Sequence, residues 1–298
     1  MEVWRASHFF DFTKINDSEW DKIFAEFAGN GGEYLTINTA LLKRMIADSK
    51  AIECFQKLGE KYNIKFFDIH GLCGKGYDLN TVDSNCREIM FQEHVRAFEI
   101  AEILGVRNYV MLIGAWCCVE NIWEEQKELL RKLATESLEK LLPEAEKKHL
   151  SIAIENAFEP SNSADELLIY LKNIQSPALG ACFDAGHALM MSDTMIKRER
   201  DENNDVERQR LWHGKLKFDG YTLDKMLPYV VTCHLHDNDG YNDNHQLIFS
   251  GSANWDEYAE KLRNAPRLSS VQNELKSGAN SIQDMCLAFD RLRKMIMR

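Results

Sequence analysis

Residues 151–187 read SIAIENAFEPSNSADELLIYLKNIQSPALGACFDAGH. The stretch opens on a short β-branched run, Ser151–Glu155, passes through an amphipathic segment, Ala164–Asn173, and returns to a second apolar run, Leu179–Asp184. A strand, a helix of that length and another strand form a unit that lays its two strands parallel. The same alternation continues outward in both directions. Further strands are expected at Val3–Ala6, Glu33–Ile37, Lys65–His70, Asn108–Ile113, Val230–His236 and Ser270–Leu275. Helical patterns cover Glu19–Phe27, Leu41–Tyr62, Glu88–Leu104, Ile122–Lys148, Trp255–Asn264 and Ile282–Met297. About eight such units in 298 residues suit a closed (β/α)8 barrel better than an open doubly wound sheet. No GxGxxG follows the first strand and no GxxxxGK[ST] occurs.

With only five prolines and no Gly/Ser-rich linker, the chain reads as one domain over residues 1–298. One stretch breaks the rhythm. Met190 to Tyr221, after the sixth strand, is longer than a usual connection, and its run Lys197–Arg210 is dense in charge. A long loop on a barrel is a lid, a subunit contact or a solvated insertion, and the first two are favoured here.

Composition excludes several classes. Lys and Arg number 36 against 47 Asp and Glu, a net charge of −11, which repels phosphate backbones and counts against a nucleic-acid partner. No apolar run approaches the ~20 residues of a membrane span. The start, Met1-Glu2-Val3-Trp4-Arg5, lacks the layout of a secretion signal. Eight scattered cysteines without a CxxC pair point to a reducing compartment, so a cytoplasmic location is expected.

Acidic and histidine residues gather at the ends of the expected strands. Glu155 closes Ser-Ile-Ala-Ile-Glu, and Asp184 closes Ala-Cys-Phe-Asp with His187 three positions on. His234 and His236 close Thr-Cys-His-Leu-His, and Glu274 closes Ser-Val-Gln-Asn-Glu. In a (β/α)8 barrel those ends converge on the catalytic face. One such carboxylate is an ordinary helix cap. Three of them with an imidazole on four strands are not, because packed without a cation they would repel until one stayed protonated. A divalent ion resolves the conflict. The oxygen-rich set favours Mn²⁺, with Mg²⁺, Co²⁺ or Zn²⁺ as alternatives. Vacant positions on such an ion suit adjacent oxygens of a polyol or ketose, and chelation acidifies the neighbouring C–H.

These segments resemble the sugar phosphate isomerase/epimerase family, the xylose isomerase-like barrels related to endonuclease IV. The likeness runs from about Phe66 to the C-terminus. It rests on Ile154-Glu155-Asn156, Phe183-Asp184-Ala185-Gly186-His187, His234-Leu235-His236-Asp237-Asn238-Asp239-Gly240, Asp243-Asn244-His245 with Gly251 and Trp255, and Asn273-Glu274-Leu275. The resemblance implies Glu155, Asp184, His234 and Glu274 as ligands of one metal, Glu155 and Glu274 as the acid/base pair, and His187 near the reacting carbon. Residues two apart on a strand point the same way, so His236 stays open as an alternative ligand and is otherwise a substrate contact. His70, Asp243 and His245 are further substrate-binding candidates.

The implied activity is isomerisation or epimerisation of a sugar or sugar phosphate, with a homodimer as the expected assembly. Two alternatives stand beside it, a nuclease like endonuclease IV and a non-catalytic sugar-binding barrel. The nuclease needs a histidine where the fourth strand ends in Leu112-Ile113-Gly114. Of the aromatic residues near strand ends, Trp116 is the candidate sugar-facing wall, whereas Phe66 and Trp255 default to packing. Cys117, Cys118 and Cys233 read as buried and unreactive.

Overall fold

Eight parallel strands close into a barrel in chain order in the computed structural model, which describes residues 4–192, 206–275 and 280–297. They are β1 (Arg5–Phe9), β2 (Tyr34–Ile37), β3 (Lys65–His70), β4 (Asn108–Met111), β5 (Ser151–Glu155), β6 (Leu179–Asp184), β7 (Val230–Leu235) and β8 (Ser270–Asn273). Pairing of β1 with β8, from Arg5 opposite Ser270 to His8 opposite Asn273, seals the ring. Around it lie α1 (Asp17–Gly29), α2 (Thr39–Ala47), α3 (Ser49–Tyr62), α4 (Ser84–Leu104), α5 (Trp116–Val119), α6 (Trp123–Lys147), α7 (Ala164–Asn173) and α8 (Ala185–Met190). α9 (Val206–Leu211), α10 (Thr222–Met226), α11 (Trp255–Arg263) and α12 (Ile282–Ile296) complete the outer layer.

The barrel departs from the sequence reading at a few boundaries. β1 runs over Arg5–Phe9, past the expected end at Ala6, because its place is set by two neighbours at once, β2 and β8, while Val3 lies outside the described residues. β4 stops at Met111 rather than Ile113, since the amides of Ile113 and Gly114 turn to the side chain of Asn162, at 3.0 and 3.3 Å. The expected helix over Leu41–Tyr62 is two. Asp48 ends α2 in an extended conformation (φ −142°, ψ 105°) and its carboxylate accepts from Lys50 N to start α3. Asp83 begins α4 before the expected Glu88, accepting from the amides of Asn85 and Cys86. Most of Lys197–Arg210 falls on 193–205, outside the described residues.

Between the strands and the first helices sits an aromatic cluster. The ring of Phe55 meets Phe12 and Trp20 at 5.0 Å and Phe24 at 5.3 Å, mostly edge to face, and Phe66 completes the group. Inside the barrel the chemistry changes to polar. Oδ1 of fully buried Asp68 accepts from Ser270 (2.6 Å), Asn108 (2.9 Å) and Thr232 (3.2 Å), and Gln272 donates to Thr232 at 3.0 Å. The carboxyl of Asp68 is raised by burial, against the pull of those donors. Among the described residues no helix is long and apolar enough to cross a membrane.

Removing the Phe55 ring leaves a void in a fully buried cluster. Phe55→Ala should therefore lower stability by about 3–5 kcal/mol in chemical denaturation, with the barrel's circular dichroism retained below the transition.

Candidate functional site

The carboxyl ends of β5, β6, β7 and β8 bring their side chains to one point. His234, fully buried near the end of β7, sends Nδ1 toward three carboxylates at once. It donates to Glu155 Oε1 at 2.6 Å and lies 3.4 Å from Glu274 Oε2 and 4.0 Å from Asp184 Oδ2. One ligand atom from each of these four residues lies within 4.8 Å of every other. Glu155 and Asp184 are buried and Glu274 nearly so. Among the described residues these carboxylates have imidazoles alone as ion-pair partners.

That arrangement decides the state of each group. Burial would raise the Asp184 carboxyl, but the imidazoles of His187, His236 and His234 override it and hold it below the usual range. Glu274 is held down in the same way, chiefly by His234 and His70 against burial. Burial alone would lower His234, yet Cys182, Glu155 and Glu274 together lift it well above an ordinary histidine. Glu274 Oε2 is left without a hydrogen-bond partner, an orphaned acceptor in a buried site. A hard dication fits such a donor set, which a core of neutral side chains would not.

His236 takes a different place. Its Nε2 donates to Asp184 Oδ2 at 3.2 Å, and its ring stacks on that of His245 with centroids 4.0 Å apart. Of the two histidines only His234 meets all three carboxylates, whereas His236 falls in two other groups of close metal-ligating side chains, with Asp184 and His187 and with His245 and Glu274. His70 stacks on His234 at 5.3 Å and puts Nε2 3.5 Å from Glu274 Oε1. His245 donates through Nδ1 to Glu274 O (2.5 Å) and through Nε2 to Asp243 Oδ2 (2.9 Å). Because both its nitrogens face acceptors, chiefly Asp243, its pKa is pushed up to about 9 against the effect of burial. His187 donates through Nδ1 to Asn156 O at 3.1 Å, with Nε2 3.9 Å from Asp243.

Several supports went unassigned in the sequence. Asn156 clamps β5 to β6, accepting from Asp184 N at 2.9 Å and donating to Asp184 O at 3.0 Å. Asp237 organises the loop after β7, accepting from Asn238 N and Ala253 N (both 3.0 Å) and from the indole of Trp255 (2.7 Å). Gly186 lies flat against the His236 ring, where any Cβ would overlap it. The signals were present as Asn after Glu155, Asp after His236 and Gly before His187, but each is a common turn residue by itself.

The aromatic candidates part company. Trp116 opens α5, its indole donating to Glu120 and its face covered by Lys75 at 4.9 Å. Phe66 packs outside the barrel and Trp255 serves Asp237. Cys117, Cys118 and Cys233 are buried free thiols. The end of β4 presents no imidazole, only Leu112, Ile113 and Gly114. Asp78 anchors α5 by accepting from Trp116 N at 2.7 Å.

A family model described as a xylose isomerase-like TIM barrel matches residues 25–271. No curated protein matches the sequence. Similar solved structures include a D-tagatose 3-epimerase-like protein, 20% identical with a TM-score of 0.72, covering 98% of this chain and 97% of that one. The D-psicose 3-epimerase with D-tagatose from Clostridium cellulolyticum H10 is 13% identical, with a TM-score of 0.70 and coverage of 97% and 99%. The 3-keto-D-glucoside 4-epimerase from E. coli is 12% identical, with a TM-score of 0.69 and coverage of 98% and 99%. At these identities the likeness is one of fold.

Burial raises the Asp78 carboxyl to about 6, so the folded state takes up its proton above the pH at which the unfolded chain releases it. Its contribution turns unfavourable as pH rises from about 4 to 6 and is constant beyond. The stability of Asp78→Asn relative to the native protein should therefore improve across that interval and then level off, as read by melting temperatures at a series of pH values.

Proposed function

We propose, for a chain that belongs to the xylose isomerase-like TIM barrel family, that it is a divalent-metal-dependent isomerase or epimerase of a sugar or sugar phosphate. The observation that carries this reading is His234 Nδ1 lying within 4.0 Å of three carboxylates from three different strand ends. Glu155, Asp184, His234 and Glu274 would hold the ion, with Mn²⁺ favoured by the oxygen-rich set. When bound, a divalent ion polarises a carbonyl and acidifies the adjacent C–H.

The chain's own residues do the rest. β5 and β8 are separated by two strands on one side of the ring and four on the other, so Glu155 and Glu274 reach the substrate from different sides. One removes the proton from carbon while the other returns it, the exchange that isomerisation and epimerisation share. His187, fixed by Asn156 O, offers Nε2 to a substrate hydroxyl beside the reacting carbon. His70 and His236 line the two flanks of the cluster, and Asp243 with His245 closes the third.

The direct test is exchange of a substrate C–H with solvent deuterium over a panel of ketoses, aldoses and their phosphates with Mn²⁺ added. Exchange is expected with at least one member. Its absence across the panel would favour a sugar-binding barrel without catalysis. On a substrate so found, Glu274→Gln keeps the size of the side chain but not its basicity, and should cut turnover by ~10²-fold or more. Near-normal turnover in both Glu155→Gln and Glu274→Gln would overturn the two-carboxylate mechanism. Asp184→Asn should weaken Mn²⁺ binding first, with activity partly restored by excess metal.

Metal binding has its own proton signature. His234 is held protonated well above the usual histidine range, so an entering ion must displace that proton. Calorimetry in buffers of different ionisation enthalpy should show proton release when Mn²⁺ binds, and affinity that rises with pH. Uptake without proton release would contradict the role of His234 as a ligand.

A further inference from the structure

The hydroxyl of Thr39 ties the start of α2 to the end of β3, on the flank of the cluster held by His70. Thr39 opens α2, where the side chain of Asn38 accepts from Leu41 N at 2.8 Å and fixes the first turn. From there Thr39 Oγ1 lies 2.7 Å from Gly71 O, 3.0 Å from His70 Nδ1 and 3.3 Å from His70 O. Gly71 is held in turn. Its amide donates to Val110 O at 2.8 Å, and it packs so closely on the Tyr109 ring that a Cβ would overlap it.

A count of hydrogens decides the state of the imidazole. A hydroxyl has one hydrogen to give and can accept two. Gly71 O and His70 O are carbonyls that only accept, and two oxygens 2.7 Å apart with no hydrogen between them would repel. The hydrogen of Thr39 is therefore spent on the carbonyl side. Oγ1 is left as an acceptor toward His70, so Nδ1 carries a hydrogen and donates it. Gly71 O, 3.3 Å from Nδ1, asks for the same hydrogen. Cys73 S–H, with Sγ 3.8 Å from Oγ1, fills the second acceptor position of the hydroxyl. This count holds whether the ring is neutral or charged. Nε2 is then the nitrogen turned to the cluster, 3.5 Å from Glu274 Oε1, with the ring stacked on that of His234. In the neutral ring it presents a lone pair there.

We infer that Thr39 is a positioning residue, which fixes His70 in its Nδ1–H form and so offers Nε2 to a hydroxyl of the bound substrate. The substrate role rests on reading the cluster as one that acts on sugars, whereas the form of the ring does not. Thr39→Val exchanges the hydroxyl for a methyl of similar shape, and Thr39→Ser keeps the hydroxyl.

Nitrogen-15 NMR of the full chain labelled on histidine reads the ring without any substrate, with His70 assigned by the signals lost in His70→Gln. A His70 Nδ1–H resonance slowed in exchange with water is expected in the native chain and in Thr39→Ser. It should be broadened beyond detection in Thr39→Val. The signals of His8, whose Nδ1 accepts from Asn273 Nδ2 at 3.0 Å, should stay unchanged and certify the fold. A native ring protonated at Nε2 alone, no slowed Nδ1–H in the native chain, or one equally slow in folded Thr39→Val would overturn the inference. The native chain decides the form of the ring even if Thr39→Val fails to fold. On a substrate found by solvent exchange, Thr39→Val should raise KM about tenfold or more with Mn²⁺ affinity changed less than about twofold, and Thr39→Ser should recover most of the loss. An unchanged KM would overturn the substrate role. A native Nδ1–H without solvent exchange on any sugar would keep the form of the ring and sink the proposed reaction instead.

Discussion

Three carboxylates sharing one imidazole nitrogen is a costly arrangement, and the rest of this barrel is organised around it. Nδ1 of His234 lies within 4.0 Å of Glu155, Asp184 and Glu274, all removed from solvent or nearly so. Like charges that close in a medium of low polarity repel strongly unless positive charge sits between them. The imidazole of His234, lifted well above the ordinary histidine range by Cys182, Glu155 and Glu274, is one such source. A divalent ion, which these donors could hold, would be another. The constraint explains why so many imidazoles crowd one rim: His70, His187, His234, His236 and His245 all lie within ring or ion-pair contact of the acidic group or of one another.

Holding repelling groups in place requires supports that act on backbone. Asn156 fixes the ends of β5 and β6 through reciprocal hydrogen bonds to Asp184 N and O. Asp237 draws three donors from Asn238, Ala253 and Trp255 onto one buried carboxylate, and so sets the loop from which Asp243 and His245 reach back. Gly186 lets the His236 ring approach the backbone of α8 without a clash. Each supports a side chain it does not resemble chemically, by fixing the peptide units around it.

The layer beneath shows the same economy. A fully buried Asp68 is met by hydroxyl and amide donors from β4, β7 and β8, so this part of the barrel interior is hydrogen-bonded, beside a small apolar group that includes Val110, Ala153 and Cys182. The aromatic packing that stabilises the fold is placed outside the ring, between strands and helices. Above the site, Leu211 and Trp212 pack with Cys117, Cys118, Trp123 and Phe158, and Arg208 donates to Tyr241 O at 2.8 Å. The described end of the long insertion thus packs against the loops after β4, β5 and β7.

The order of strands and helices was legible in residue pattern because alternating apolar runs and amphipathic stretches are local properties. So was the acidic character of the strand ends, since Glu155, Asp184 and Glu274 each close an apolar run. What local pattern could not carry was register. Whether β1 ended at Ala6 or Phe9 depended on its two partners, β2 and β8, which lie 25 or more residues and nearly the whole chain away. Choosing between His234 and His236 was a question of the same kind. Both close one strand and differ by two residues, but only closure of the ring decides which imidazole meets carboxylates from three other strands. Asn156, Asp237 and Thr39 were out of reach for that reason as well. Their roles exist only as distances between segments, and distance between segments is what the tertiary fold creates.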